Sequence, residues 1–323
     1  MRPAPPSPGY VLLSCLLGLV LLTLIASRID LRAGEGRASL QRWVDWTEAE
    51  GELADAREQL LFHLVTQPLT PLGFGEGPAR LRIDGRAYAY GRVRLSLQDE
   101  RGLISLVQPD LPVLRRWLLQ QGIADEQIEP LIDQLADYQD RDSLHRLQGA
   151  EAEAYAEAGL PPPRNDWPLA ADELRNIPAW RAQPRLVEDP DRWFSVVRDG
   201  WLNPNTAPAA ILLAMPGASP EGVRRLLDWR EQQPLASAAQ VLQLSGIVVD
   251  NDPPGFYPGL FYRLRLWHQE VPLAMEYHLM LTPGSPDTPW KILRLRRIPR
   301  SFLDASDAPV PDLPVVLAAS APA

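Results

Sequence analysis

An uncharged apolar run near the N-terminus limits how this chain can fold. Residues 10–26 read YVLLSCLLGLVLLTLIA and contain no charged side chain. A run of about 17 residues is at the lower limit for a helix that spans a bilayer, and it is long for the core of a signal peptide. The run therefore predicts a transmembrane helix at residues 10–26, with the end that carries Arg2 in the cytoplasm.

The residues around this run leave three interpretations open. A cleavable signal peptide needs small residues after the run, and Ile25-Ala26-Ser27 is a weak match to such a site. Leu12-Leu13-Ser14-Cys15 resembles a lipoprotein box, but most of the apolar run follows the cysteine instead of preceding it. A prepilin leader is a short polar segment that ends in glycine, and Gly9-Tyr10 fits it best. This third interpretation predicts a leader at residues 1–9 and retention of the apolar helix after cleavage.

The helical pattern continues beyond the apolar run. Apolar residues recur at three- and four-residue spacing over residues 40–65, and charged residues fill much of the remaining circumference. Pro68 ends the pattern. The sequence therefore predicts one long helix over residues 10–67, whose second half is amphipathic and must pack against something. A membrane anchor followed by a separate helix is the alternative, because Gly34 and Gly36 allow a break.

Two segments show the alternation of apolar and polar residues that is typical of half-buried strands. They lie within residues 68–105 and residues 260–300. In the first segment the alternation begins at Leu81 and Ile83, and Asp84-Gly85 is predicted to form a hairpin turn. An antiparallel sheet with one face on the amphipathic helix would satisfy both partners.

A helical block at residues 106–259 separates the two strand groups and contains a weak internal repeat. Each copy has a proline in an N-terminal turn, a short apolar helix, a glycine-centred turn and a second helix. Such helix-hairpin-helix units often bind nucleic-acid phosphate through backbone N–H groups. Here Ala218 replaces the second glycine of the turn, and the chain has a formal net charge of −9. A structural helical module, of the helix-hairpin-helix or SAM-like kind, is therefore favoured over a DNA-binding one.

Composition excludes several other classes of site. Cys15 is the only cysteine, so neither an intrachain disulfide nor a cysteine-built zinc site can form. No nucleophile, phosphate-loop or paired-histidine motif is present, so no enzyme activity is predicted. Residues 301–323 are rich in proline and alanine without periodicity, and they are predicted to be a disordered tail.

A series of short motifs follows the first strands in a fixed order. The first motif is DERGLISL, which begins at Asp99. The last is LNPNTA, which begins at Leu202 and opens the second copy of the helical repeat. The ordered set resembles the K-type minor pseudopilin of type II secretion systems, the general secretion pathway protein K family. The residues that carry the resemblance are Asp99, Glu100, Gly102, Asp137, Asp140, Asp142, Gly149, Glu151, Tyr155, Pro163, Arg164, Asn165, Glu173, Leu174, Asn203 and Asn205.

The resemblance implies an α+β fold: a pilin-like long helix packed on an antiparallel sheet, with a large all-α domain inserted between strands. It also implies a leader cut at Gly9 by a prepilin peptidase, with methylation of the new N-terminus. Most pilins carry glutamate at the fifth position after the cut, and this chain has Ser14 there. The K-type subunit likewise lacks that glutamate, which suits a subunit at the tip of the fibre.

The function that the resemblance implies is structural. The chain would cap a periplasmic pseudopilus and help to initiate it from the inner membrane. Expected partners are the I-type, J-type and H-type minor pseudopilins, the major pseudopilin, the inner-membrane secretion platform and secreted cargo, without nucleic acid. The alternative from the helical repeat is a membrane-anchored DNA-binding protein of an uptake system.

Some relatives of this family bind calcium, and oxygen ligands are available here from Asp137, Asp140 and Asp142. The competing interpretation is an acidic helix end that is neutralised by Arg141 and Arg146. The Arg164-Asn165 segment is predicted to fasten the helical domain through side-chain hydrogen bonds.

Overall fold

The computed structural model describes residues 8–198, 202–249, 253–303 and 310–314. Its contacts divide the chain into two compact units, Met1–Glu52 and Leu53–Ala323. A single α-helix, α1, covers Pro8–Thr66. The predicted leader junction, Gly9-Tyr10, lies in the first turn of α1, and the preceding residues 1–7 are outside the described residues.

In the N-terminal unit, α1 exposes a series of apolar side chains. Those from Leu12 to Ile25 are at least half exposed, as are Leu40 and Trp43. Among the residues that the structure describes, no helix presents an apolar stretch of sufficient length to cross a membrane.

The second unit contains a sheet and a group of helices. A small three-stranded sheet is formed by β1 (Leu69–Thr70), β2 (Gly73–Phe74) and β3 (Leu81–Arg82). The main sheet is antiparallel, with strand order β10-β9-β8-β5-β4. Its strands are β4 (Asp84–Tyr90), β5 (Val93–Asp99), β8 (Phe261–His268), β9 (Ala274–Leu281) and β10 (Trp290–Arg297).

Between β5 and β8 the chain is mostly helical. A short parallel pair, β6 (Ile104–Ser105) and β7 (Phe194–Ser195), joins the start of this block to its middle. The helices are α2 (Leu111–Gln120), α3 (Asp125–Asp137), α4 (Ala152–Glu157), α5 (Pro178–Arg181), α6 (Pro184–Val187), α7 (Ala209–Ala214), α8 (Pro220–Gln232) and α9 (Ala238–Ser245). They surround one apolar core centred on Trp117, Trp180 and Phe194. The predicted α+β fold with an inserted helical domain is thus confirmed.

The two faces of the main sheet differ in chemistry. One face carries the apolar pairs Leu95–Leu266 and Leu264–Tyr277, and it meets the C-terminal part of α1. Arg57 of α1 donates to the Tyr277 hydroxyl at 3.5 Å on that face. The opposite face carries polar residues in matched rows across the strands and turns toward the inserted helices. The first row is Gln98, Arg263, His278 and Arg294, and the second is Ser96, Arg265, Glu276 and Arg296.

The predicted hairpin turn at Asp84-Gly85 is wrong. These two residues begin β4, where the register shifts, and the turn lies after Tyr90 at Gly91, which has φ of 56°. The segment from Ala87 to Tyr90 has little apolar–polar contrast, so alternation alone does not reveal it as a strand. The Asp84 carboxylate binds the guanidinium of Arg86 at 2.8 Å instead of capping a turn.

The prediction of a disordered tail is wrong for residues 301–303 and 310–314. Arg300–Phe302 form a short 3-10 helix, and Leu303 is buried. Leu313 is buried, and its N–H donates to the Ala89 carbonyl at 2.8 Å. The Ala89 N–H donates in turn to the Pro311 carbonyl at 2.8 Å, so this segment extends the sheet beside β4. A single buried leucine and two backbone hydrogen bonds hold the segment, which is too small a signal to detect among prolines and alanines.

Candidate functional site: the junction between sheet and inserted helices

Asp99 is the centre of the junction between the main sheet and the helical insertion. It ends β5, is fully buried, and accepts the Thr206 hydroxyl at 2.8 Å and the Asn203 amide at 3.1 Å. It also accepts the N–H of Arg101 at 3.2 Å and that of Gly259 at 3.3 Å. Burial raises the pKa of this carboxyl to about 6, although all four donors favour its ionised form. One side chain therefore joins the segment that leads into the insertion to the LNPNTA segment and to Gly259 at the end of the insertion.

Glu100 and Arg263 form a buried ion pair next to Asp99. The Arg263 guanidinium donates to both Glu100 oxygens, at 2.8 and 2.9 Å, and to the Phe194 carbonyl at 2.9 Å. Burial opposes both charges, but the carboxylate raises the pKa of Arg263 and the guanidinium lowers the pKa of Glu100. Because Arg263 is on β8 and Phe194 is on β7, this pair attaches the middle of the insertion to the sheet.

The charged network continues across β9 and β10. Glu276 binds Arg265 and Arg296, each at 2.7 Å, and Asp191 binds Arg296 at 2.6 Å. His278 lies 3.5 Å from Glu100 and 3.2 Å from Glu276. Burial lowers the pKa of His278, but these two carboxylates outweigh it and the net shift is upward.

Asp191, Glu276 and His278 are the one group in the described part of the chain whose possible ligand atoms converge as a metal site requires. All three also lie against arginines or carboxylates of the network described above. A cation here would have to displace guanidinium groups from buried carboxylates, so the arrangement is suited to joining elements and not to holding a metal.

Most of this network was not predicted from the sequence. Arginines that alternate with leucines, as on β8 and β10, are typical of a solvent-facing strand side, so the alternation alone does not reveal buried ion pairs. The signal in the sequence is that three neighbouring strands show the same alternation and that Glu276 lies among their arginines. This pattern indicates paired charges.

Gly102 is required by the close approach of two chain segments. A Cβ atom there would lie 2.6 Å from the Thr206 carbonyl oxygen and 2.5 Å from Gln98 Nε2. Both partners are also joined to each other, because Gln98 Nε2 donates to that carbonyl at 3.1 Å. The motif glycine therefore lets the start of the insertion pack against the LNPNTA segment.

Replacement of Gly102 by alanine is expected to lower the free energy of unfolding by about 1–3 kcal/mol, because the backbone at Thr206 must move. Urea unfolding of the purified chain measures this. Gly51→Ala is the matched control, because Gly51 is helical with open space around its Cβ position, and alanine there is expected to stabilise α1. Equal behaviour of the two variants would contradict the packing role of Gly102.

Asn205 fixes the end of the insertion. Its amide donates to the carbonyls of Leu235 and Phe256, both at 2.9 Å, and its side-chain oxygen accepts the Leu235 N–H at 2.8 Å. The side chain is buried with donors and acceptor all used. A leucine-sized replacement would leave these backbone groups without partners.

The structure does not bring Asp137, Asp140 and Asp142 together as one ligand set. Asp137 is fully buried and accepts the N–H groups of Arg146 at 3.0 Å and Ala150 at 3.1 Å, as well as the Arg146 guanidinium. Gly149 is required beside it, because a Cβ there would lie 1.8 Å from Asp137 Oδ2. Asp137 is therefore saturated by protein donors.

Two other acidic residues of this region have a buried oxygen without a donor, although their ligand atoms do not converge in this structure as a metal site requires. Asp140 Oδ1 and Glu151 Oε1 are buried without a hydrogen-bond partner. Burial and the charges of Asp137, Asp140 and Asp142 raise the pKa of Glu151. Oxygen atoms that lack donors are the chemistry that Ca²⁺ uses.

The remaining motif residues fasten one loop of the insertion. Glu173 accepts the Tyr138 hydroxyl and the Leu169 N–H, both at 2.8 Å, and it lies 3.3 Å from Arg164. Asn165 has φ of 52°, and its N–H donates to the Tyr138 carbonyl at 3.0 Å. The other members, Pro163, Leu174 and Tyr155, are buried nearby.

The glycine-centred turn between α7 and α8 has a structural explanation. A Cβ at Gly217 would lie 2.2 Å from the Gly246 carbonyl oxygen, and Val248 donates its N–H to the Pro216 carbonyl at 2.8 Å. The Ala218 N–H is already bonded to Met215 at 3.2 Å. Since the turn packs against the segment after α9, its glycine is accounted for without a phosphate ligand.

These features define a class: a pilin-like helix-on-sheet protein whose sheet is joined to an inserted helical domain through buried charges. Residues 97–187 and 202–253 both match sequence models described as "Type II secretion system (T2SS), protein K". The resemblance to the K-type minor pseudopilins is thereby confirmed. Proteins of this family are structural components of a secretion apparatus in the cell envelope.

A solved structure shares the fold. It is the crystal structure of the GspK–GspI–GspJ complex from the type 2 secretion system of enterotoxigenic Escherichia coli. One of its chains is 17% identical and superimposes with a TM-score of 0.53, over 82% of this chain and 99% of that chain. No curated protein sequence matches this chain significantly.

Proposed function

We propose that this chain caps the tip of a periplasmic pseudopilus and helps to initiate its assembly. The observation that carries the proposal is the exposed apolar surface of α1, from Leu12 to Ile25 and at Leu40 and Trp43. Such a surface needs lipid before assembly and neighbouring helices afterwards. We propose that residues 10–26 anchor the chain in the inner membrane, with the C-terminal body in the periplasm.

The absence of an acidic side chain at Ser14 supports a terminal position in the fibre. A glutamate at this place in pilins neutralises the N-terminal amine of a neighbouring subunit, and serine cannot do so. The inserted helical domain adds bulk that would obstruct a further subunit. I-type and J-type pseudopilins are the proposed neighbours, in line with the complex that the solved structure contains.

Mass spectrometry of the mature protein tests the membrane step of this proposal. Removal of residues 1–9, with Tyr10 as a methylated N-terminus, is expected after coexpression with a prepilin peptidase. Gly9→Ala is expected to block the cleavage. An intact or lipid-modified N-terminus in the presence of active peptidase would contradict the pilin-type leader.

Calcium binding at the helix end after α3 belongs to the same proposal. Asp140, Asp142 and Glu151 would hold the ion, while Asp137 remains bonded to the backbone of Arg146 and Ala150. The ion would neutralise carboxylates that now repel one another and so stabilise the loop before α4.

Calcium at a hundredfold excess over its Kd is expected to raise the free energy of unfolding by about 2.7 kcal/mol. Thermal unfolding with Ca²⁺ or with Mg²⁺ measures this. Glu151→Gln is expected to remove the effect of Ca²⁺, whereas Glu153→Gln, which removes an exposed charge on α4, is expected to leave it intact. A midpoint that does not respond to Ca²⁺ would contradict this site.

A further inference from the structure

A cleft of about 940 Å³ opens on the polar face of the main sheet. Its floor is formed by β4, β5 and β8, and its walls come from the loop around Trp193 and from the segment around Phe302. None of the residues that carry the family resemblance lines this cleft. Three junction residues, Asp191, Arg263 and Arg265, line part of it, but neither the junction nor the proposed capping role accounts for the rest.

The cleft is rich in arginine although the chain as a whole is acidic. Six of its lining residues are arginines and only two are carboxylates. Four of the six already take part in ion pairs or an aromatic contact: Arg86 with Asp84, Arg263 with Glu100, Arg265 with Glu276, and Arg192 with the Trp193 ring.

The remaining two arginines, Arg94 and Arg300, have no carboxylate partner among the residues that the structure describes. Both are bonded to neutral groups around Gln269. Arg300 donates to the Gln269 backbone carbonyl at 2.7 Å. Arg94 Nε lies 2.8 Å from the Gln269 side-chain oxygen, in the amide orientation that satisfies both groups. Two cations therefore converge on one end of the cleft, and no carboxylate in the described part of the chain is paired with either of them.

At the rim of the cleft, β4 already pairs with an extended segment of this same chain, residues 310–314. Val310 and Pro311 line the cleft, and the backbone around Pro311 is hydrogen-bonded to Ala89 of β4. Partly exposed aromatic rings, Trp193, Trp267 and Phe302, line the walls and offer contact area for apolar side chains. A ligand that suits this site has carboxylates, apolar groups and an extended backbone.

We propose that the cleft binds an extended acidic peptide segment of a partner protein, with Arg94 and Arg300 holding its carboxylates. Guanidinium groups match carboxylates in a bidentate geometry. The proposal does not rest on tip capping, because the cleft is lined by residues of the sheet, the inserted domain and the C-terminal segment, and by none of α1.

Fluorescence anisotropy tests this proposal with the full-length chain in detergent. The probe is a fluorescein-labelled decapeptide of alternating glutamate and valine, and its lysine–valine counterpart is the control probe. The acidic probe is expected to bind, and its affinity is expected to fall as salt is added. Each arginine contact is expected to contribute about tenfold to affinity, so Arg94→Gln with Arg300→Gln should weaken binding about a hundredfold.

The matched control variant combines Arg116→Gln with Arg224→Gln. These arginines are exposed on α2 and α8, away from the cleft, and the change in net charge is the same. Unchanged binding by this variant supports the cleft. Equal weakening by both double variants, absence of binding at low salt, or displacement of the peptide by inorganic phosphate at equal concentration would each overturn the proposal. Circular dichroism of all variants confirms that they are folded.

Discussion

Replacement of Arg263 by methionine is expected to destabilise the chain by about 3–5 kcal/mol, since removal of one partner leaves a buried charge without compensation. Arg263 and Glu100 are both only 4% exposed at their side chains. Methionine fills part of the volume but leaves the Glu100 carboxylate and the Phe194 carbonyl without the guanidinium. Chemical unfolding monitored by tryptophan fluorescence reports this loss.

A surface pair provides the comparison. Arg115 pairs with Glu129 between α2 and α3, where both side chains are more than a third exposed. Arg115→Met is expected to cost at most about 1 kcal/mol, because water replaces the lost partner. If Arg263→Met were no more harmful than Arg115→Met, the buried pair would not be the fastening that the geometry indicates. The double variant Arg263→Met with Glu100→Leu should recover part of the loss, because no unpaired charge remains at that position.

The second large effect is a pH dependence that arises from Asp99. Its pKa in the folded chain is about 6, against an ordinary value of 3.8. Between these pH values the folded state holds a proton that the unfolded state has lost, so stability falls as the pH rises from about 4 to 6. The difference in pKa corresponds to about 3 kcal/mol. At neutral pH the fold therefore carries the cost of a buried carboxylate.

Asp99→Asn removes the titration while keeping an acceptor for Thr206. The difference in unfolding free energy between the natural chain and this variant is expected to shift by about 3 kcal/mol between pH 4 and pH 7, in favour of the natural chain at pH 4. Asp287→Asn, which neutralises an exposed carboxylate in the turn before β10, should leave that difference flat. If the difference in unfolding free energy between the natural chain and Asp99→Asn were also independent of pH, Asp99 would not be the titrating group.

The sequence predicted the large elements because each has a strong periodic signal. The helix was predicted at residues 10–67 and observed at Pro8–Thr66, and the strand groups and helical insertion follow in the predicted order. These elements have apolar faces whose spacing is set by local geometry. The ordered motifs identified the family, because a series of short motifs such as DERGLISL seldom occurs in one fixed order by chance.

The junction was not predictable because its chemistry comes from long-range pairing. Glu100 and Arg263 are far apart in sequence, and alternation alone cannot decide whether an arginine faces water or a buried carboxylate. The same limit applies to Arg82, which lies between the apolar residues Leu81 and Ile83. Its side chain is buried, and it donates to the Arg230 carbonyl at 2.7 Å. The proposed role of Glu151 was not predicted, because the position of its carboxylate relative to Asp140 depends on the path of the intervening loop.

The most direct test of the proposed capping function is the position of the inserted domain on an assembled pseudopilus. Gold-labelled antibody against residues 106–259 would be imaged by electron microscopy on pseudopili assembled with this chain at its natural level. If the chain caps the pseudopilus, the label is expected at one end of each fibre and not along the shaft. Labelling distributed along the shaft would contradict the capping function. Normal fibre formation in the absence of this chain would contradict its role in initiation.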